Sequence, residues 1–186
     1  SNYNFLLNNL RDIERTGDIR SYKKDLVDLY VNRDQHSFST QVTDLDNIQN
    51  PSIHSLLSSK YHEAQMHRLN IHAEIPDPVI HNYLTDLDLA VVLGHLMDNA
   101  IDGARKASEG FISLAYFDEE DCQSFIIEST IAEEQVPLSM MSTQLPHPEG
   151  GIGVNAVQDI LERYPNTSFS VRSQNHKMMQ ILEMRP

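Results

Sequence analysis

From about Asp86 to Ala107 the apolar residues recur with a helical period: Leu89, Val92, Leu93, Leu96, Ala100 and Ala104 share one face. A helix this long with a continuous apolar face needs a broad surface to cover, and the flanking runs supply one. Leu69, Ile71, Ala73 and Ile75 alternate with polar residues and stop at Pro76-Asp77-Pro78, which reads as a strand and then a loop. Phe111 to Phe117 and Ser124 to Thr130 read as strands around an acidic turn, Asp118 to Asp121. A helix from Val154 to Arg163 ends at Tyr164-Pro165-Asn166, and two strands follow, Ser168 to Arg172 and Lys177 to Met184. Residues 68–186 are therefore expected to form an α/β sandwich, a mixed sheet packed on helices.

The first third has helical periodicity of its own. Phe5, Leu6, Leu10 and Ile13 are followed, after Thr16-Gly17-Asp18, by Ile19, Tyr22, Leu26 and Tyr30. A polar stretch from Asn32 to Gln49 reads as loop. Asn50-Pro51 then marks a helix start, a capping side chain before proline at the first helical position. Ile53, Leu56, Leu57, Tyr61 and Ala64 give that helix one apolar stripe. Two such helices cannot bury their stripes fully against each other, and a four-helix bundle built by two chains is the natural remedy. Residues 1–67 are expected to be a helical dimerisation hairpin, giving an α+β chain overall and a homodimer. Packing of the stripe onto the domain that follows is the simpler alternative.

Charge and cysteine usage narrow the functional classes. A formal charge of −13 over 186 residues argues against a nucleic-acid surface, which needs clustered Lys and Arg. Cys122 is the single cysteine and lies beside the acidic run, so it reads as a structural thiol in a reducing compartment. No apolar run approaches the length that crosses a bilayer, and no signal peptide opens the chain. The expectation is a soluble, cytoplasmic segment, whose parent protein could still continue N-terminally into a membrane.

Two motifs carry chemistry. His95, Asn99 and Asp102, at i, i+4 and i+7, line up along a second face of the central helix. An imidazole, an amide oxygen and a carboxylate on one stripe suit a hydrated magnesium ion that holds phosphates. The second motif is Gly150-Gly151-Ile152-Gly153-Val154, directly before a helix, where the backbone can approach phosphate and free N–H groups attract anions. The Walker-type phosphate loop is absent, and the strand that a dinucleotide fingerprint requires is replaced by a loop. The histidines at 62, 67 and 72 are five apart and lack the spacing of a metal site.

In this order the motifs resemble the signatures of the GHKL family of ATP-binding proteins, which includes gyrase, MutL and histidine kinases. Asn99-Ala100-Ile101-Asp102 matches its helix signature. Gly151-Ile152-Gly153 matches its later glycine signature, after a flexible ATP lid that would fall at about residues 131–150. More closely, the chain resembles sensor histidine kinases of the peptide-pheromone quorum-sensing (Agr/Com-like) subclass. Leu96-Met97-Asp98-Asn99-Ala100-Ile101, Ser142-Thr143, Asn50-Pro51 with Leu56-Leu57 and Lys60, and Asn2-Tyr3 with Leu7 carry that likeness.

The resemblance implies a Bergerat-type ATP-binding fold on a dimeric helical base. It implies ATP and Mg2+ as cofactors, phosphoryl transfer to a histidine, and relay to a response regulator in two-component signalling. Asn99 would ligand magnesium and His95 would position the attacking group. Asp102 would hold a metal-bound water or the nucleotide, Gly151 and Gly153 would cradle phosphates, and Ser142 and Thr143 would belong to the lid. The sequence also departs from the family pattern. His95 stands where a second Asn or a Glu is usual, and Gln144 replaces a lid lysine. The Asp-x-Gly-x-Gly adenine motif is missing, with Ser129 where the subclass often has Asn. The phosphoacceptor position falls on Ser1, so no phosphoacceptor histidine is identified. These departures define an alternative, a catalytically degenerate dimeric scaffold of the same fold.

Overall fold

The computed structural model describes residues 45–135 and 153–186, with side chains in the helix opening at Gly153 described from Val157 onward. The expected helices between Phe5 and Tyr30, the Ser1 position and most of the lid segment lie outside the described residues.

Helix α1 (Pro51–Met66) starts where the Asn-Pro pair places it. The Asn50 side chain accepts from the backbone N–H groups of Ser52 and Ile53 at 3.0 and 3.1 Å, while Pro51 removes a donor that would have no partner. The chain reverses at Arg68, whose φ is 60°, and enters strand β1 (Asn70–Glu74). Helix α2 (Asp86–Lys106) follows, with Thr85 accepting from Asp88 N–H as its cap. Strands β2 (Phe111–Glu119) and β3 (Cys122–Thr130) form a hairpin in which Asp118 and Glu119 are paired, so the turn is tighter than the acidic run suggests. Helix α3 (Gly153–Glu162) leads to strands β4 (Thr167–Gln174) and β5 (Lys177–Met184). The turn between these last strands places Asn175 and His176 at φ 52° and 60°. Two left-handed residues are what a tight hairpin twisted like its strands requires.

The five strands form one sheet in the order β1-β2-β3-β5-β4. The β1–β2 pair is parallel and the others antiparallel, as expected for a mixed sheet on helices. Its register puts Phe125 opposite Leu182, Ile127 opposite Gln180 and Ser129 opposite Met178. Phe125, Ile127 and Leu182 join Leu89, Val92, Leu93 and Leu96 of α2 in one core.

The stripe of α1 takes the alternative, packing onto the domain that follows it. Ile53, Leu57, Tyr61 and Ala64 are buried in the same core as α2 and β1, and Tyr61 Oη donates to the Ile71 carbonyl at 3.1 Å. The reason lies in α2, which is buried at ten positions including Gly94, Met97 and Ile101. That exceeds the single face a sheet can cover, and Leu56 of α1 packs over Gly94. Helix α1 thus belongs to the compact unit Val42–Pro186.

Candidate functional site

Helix α2 carries the three residues of the expected stripe, and His95, Asn99 and Asp102 are all half-buried. Asn99 is held most definitely. Its Nδ2 donates to Gln180 Oε1 at 3.2 Å, and Gln180 Nε2 donates to the Leu96 carbonyl at 3.0 Å, one turn earlier on the same helix. Gln180 lies on β5 with no exposed surface. The sheet thereby grips the helix at the residue the motif singles out, leaving Asn99 Oδ1 unused by this pair.

Near the same helix lies a second polar group, without a partner. Ser129, near the end of β3, is fully buried, and its hydroxyl finds no hydrogen-bond partner among the described residues. An unpaired buried hydroxyl costs on the order of 1–3 kcal/mol, which a well-made core avoids. Gly103 makes the close approach here possible. A Cβ at that position would come within 3.0 Å of Ile131 Cγ2 and 3.3 Å of the Thr130 carbonyl oxygen, with Ser129 Oγ at 3.9 Å. Beyond β3, Ile131 N–H donates to the His176 carbonyl and His176 N–H to the Glu134 carbonyl, both at 2.9 Å. The start of the expected lid segment is thus fastened to the β4–β5 turn.

The N-terminal end of α2 is organised differently. Asp88 accepts from Tyr164 Oη at 2.5 Å and from Arg163 Nη2 at 2.8 Å. The Tyr164 bond, then Thr85 and Arg163, hold its pKa below the ordinary carboxylate value, outweighing desolvation. Asp86 accepts from Asn50 and Asn82, each at 2.9 Å, and its pKa is lowered likewise. Arg163 and Tyr164 follow α3 directly, so the far end of that helix is fixed at the first turns of α2. Gly153 opens α3, whereas Gly151, Ser142 and Thr143 lie outside the described residues.

Helix α1 reaches the site region through Lys60, whose Nζ lies 2.5 Å from Asp98 Oδ1 and 3.0 Å from Glu63 Oε2. Burial disfavours the ammonium, but the two carboxylates outweigh it and hold the lysine pKa above its ordinary value. Cys122 opens β3 half-buried, its thiol pKa pushed up chiefly by burial, in keeping with a structural role.

The donor set fits magnesium held with a nucleotide. Among the described residues no group of three or more His, Cys, Asp or Glu could hold a metal. One neutral amide oxygen leaves the remaining ligands to phosphate and water, the mixture magnesium prefers. Sequence reasoning missed Gln180. Its signal is a polar residue at an inward position of an otherwise apolar alternation, Met178, Gln180, Leu182 and Met184.

Comparisons with known proteins agree with this architecture. The family model described as "GHKL domain" matches residues 84–185, more than half of the chain. A search of curated protein sequences finds no match. Among solved structures, the catalytic domain of histidine kinase ThkA superposes with a TM-score of 0.59 at 14% identity, covering 72% of this chain and 89% of that one. Histidine kinase AdeS of Acinetobacter baumannii gives 0.54 at 15% identity, over 100% of this chain and 95% of that one. The mycobacterial sensor histidine kinase MprB gives 0.52 at 11% identity, over 72% and 93%. At these identities the likeness is one of fold. Among the described residues no helix is long and apolar enough to cross a membrane.

Proposed function

Because the chain belongs to the GHKL family, whose domain model spans residues 84–185, we propose that it is the ATP-binding catalytic region of a sensor histidine kinase. It binds ATP with magnesium and transfers the γ-phosphoryl to a histidine, for relay to a response regulator in peptide-pheromone two-component signalling. The parent protein is anchored in a membrane, and two copies pair through the N-terminal segment. The observation that carries the reading is Asn99, a carboxamide on the signature helix whose nitrogen is engaged by Gln180 in a contact that does not use its oxygen.

Asn99 would hold the metal, and Asp102 would hold one of its waters or the nucleotide. Magnesium, when bound, neutralises charge on the phosphate oxygens. His95 lies one turn before Asn99 and would position the attacking group. The Ser129 hydroxyl is a buried polar atom available to the base. Backbone amides around Gly151 and Gly153 would cradle phosphates, and Ser142 and Thr143 would close over them. Arg163, directly after α3, is bound to Asp88 in the first turns of α2, which ties the helix opening at Gly153 to the helix that carries Asn99. Phosphoryl transfer depends mainly on positioning and charge neutralisation, so a small residue set suffices.

Calorimetric titration of the chain with ATP and magnesium tests the reading. Saturable, magnesium-dependent heat is expected. Its absence at millimolar nucleotide would favour the degenerate scaffold, which Ser129 and Gln144 recommend because each replaces a residue the family pattern uses.

A further inference from the structure

We propose that Gln180 is a positioning residue for the metal, selecting which atom of the Asn99 carboxamide faces the nucleotide. The proposal rests on the reading of Asn99 as the magnesium ligand.

One atom in this set of contacts cannot change its role. The Leu96 carbonyl oxygen only accepts hydrogen bonds, so the end of Gln180 that meets it at 3.0 Å must be the NH2 group. That choice turns Gln180 Oε1 toward Asn99. A carbonyl oxygen also only accepts, so Asn99 must present Nδ2 to it, at 3.2 Å. The remaining atom of the carboxamide, Oδ1, is then fixed as the outward one. Each step follows from the one before, and reversing either amide would set oxygen against oxygen or leave a buried donor unpaired.

A carboxamide without this partner has two flips of similar shape, and one offers a cation its NH2 hydrogens. Gln180 removes that flip. It is suited to do so because its backbone is paired on both sides, with Ile127 of β3 and Val171 of β4, so the sheet holds the pin. Full burial keeps water from replacing either partner of the glutamine. A fully buried glutamine must satisfy both ends of its amide. The second contact falls on the one side chain of the turn that the metal requires.

The test compares ADP titrations with magnesium and with EDTA for the wild-type chain, Gln180→Met, Asn99→Ala and the double variant. In Gln180→Met the magnesium-dependent gain in ADP affinity is expected to fall about tenfold, the usual size of an outer-sphere effect on a metal, while affinity in EDTA is unchanged. In the Asn99→Ala background the same substitution should change nothing further. A full magnesium gain in Gln180→Met overturns the positioning role and leaves the nucleotide reading intact. Equal losses with and without metal also overturn it, by making the residue merely structural. A wild-type chain that binds ADP under neither condition overturns both readings. Should Gln180→Met fail to fold, NMR of the wild-type chain decides. Asn99 side-chain NH2 protons protected from exchange, and still protected with Mg–ADP, support the proposal, and rapid exchange sinks it.

Discussion

Asp88 and Asn99, in the two halves of helix α2, are treated in opposite ways. At the N-terminal end both oxygens of Asp88 are occupied, by Tyr164 and Arg163, and Asp86 is shared by two asparagines. In the C-terminal half Asn99 has only its nitrogen engaged by Gln180, and the nearby Ser129 hydroxyl has no partner among the described residues. Saturated polar groups hold the fold together. Groups with spare bonding capacity weaken it slightly and are worth keeping only where something else binds. On the proposed reading, the contrast distinguishes residues that hold the fold from residues that would meet a ligand.

That contrast can be broken from either end. The largest effect is expected for Asn99→Asp, which sets a carboxylate oxygen against Gln180 Oε1 and undoes the pin. Magnesium-dependent nucleotide affinity should fall on the order of 100-fold, the upper end of effects around a metal. Calorimetry showing unchanged affinity would remove Asn99 from the site. Tyr164→Phe, at the saturated end, should lower the melting temperature clearly by scanning calorimetry and leave nucleotide affinity alone. If affinity moved with it, the two ends would not be independent.

A smaller and more telling change is Ser129→Ala. Removing an unpaired buried hydroxyl should leave stability unchanged or raise it by up to about 1 kcal/mol, while nucleotide affinity falls severalfold. A stability loss in denaturant titration would mean the hydroxyl has a structural partner. The smallest effect is in the pH profile. The folded-state pKa of Asp88 lies below its ordinary value of 3.8, so its ionised form favours the native state. That stabilisation is complete above the unfolded pKa and is lost as pH falls through the folded one. Wild-type melting temperature should therefore drop below about pH 4 more steeply than that of Asp88→Asn, and parallel curves would exclude the linkage.

How much of this was legible depended on range along the chain. The period-3.6 run of α2 and the alternation of β1 and β5 are local, and the sequence places them within a residue or two. Asn50-Pro51 announced α1 for the same reason, since a cap is made by neighbours. What covers the α1 stripe was not legible. Periodicity shows that Ile53 and Leu57 are buried, but the partner is set by the extra breadth of α2. The β4–β5 turn was placed, but β4 was read two residues short, because Asn175 and His176 adopt left-handed φ without glycine to mark how tight the turn is. Asn99 could be read from its motif, whereas the orientation of its amide depends on a residue 81 positions later. No local pattern carries that pairing.

The pairing order of the sheet bears on how the molecule matures. β2–β3 and β4–β5 are hairpins between adjacent strands, which close quickly. The β3–β5 ladder joins strands separated by the whole of α3 and is the slower step. Gln180 sits on that ladder. A folding chain therefore acquires its secondary structure before its metal-orienting contact, and the onset of magnesium-dependent nucleotide binding during refolding would time the last seam of the sheet.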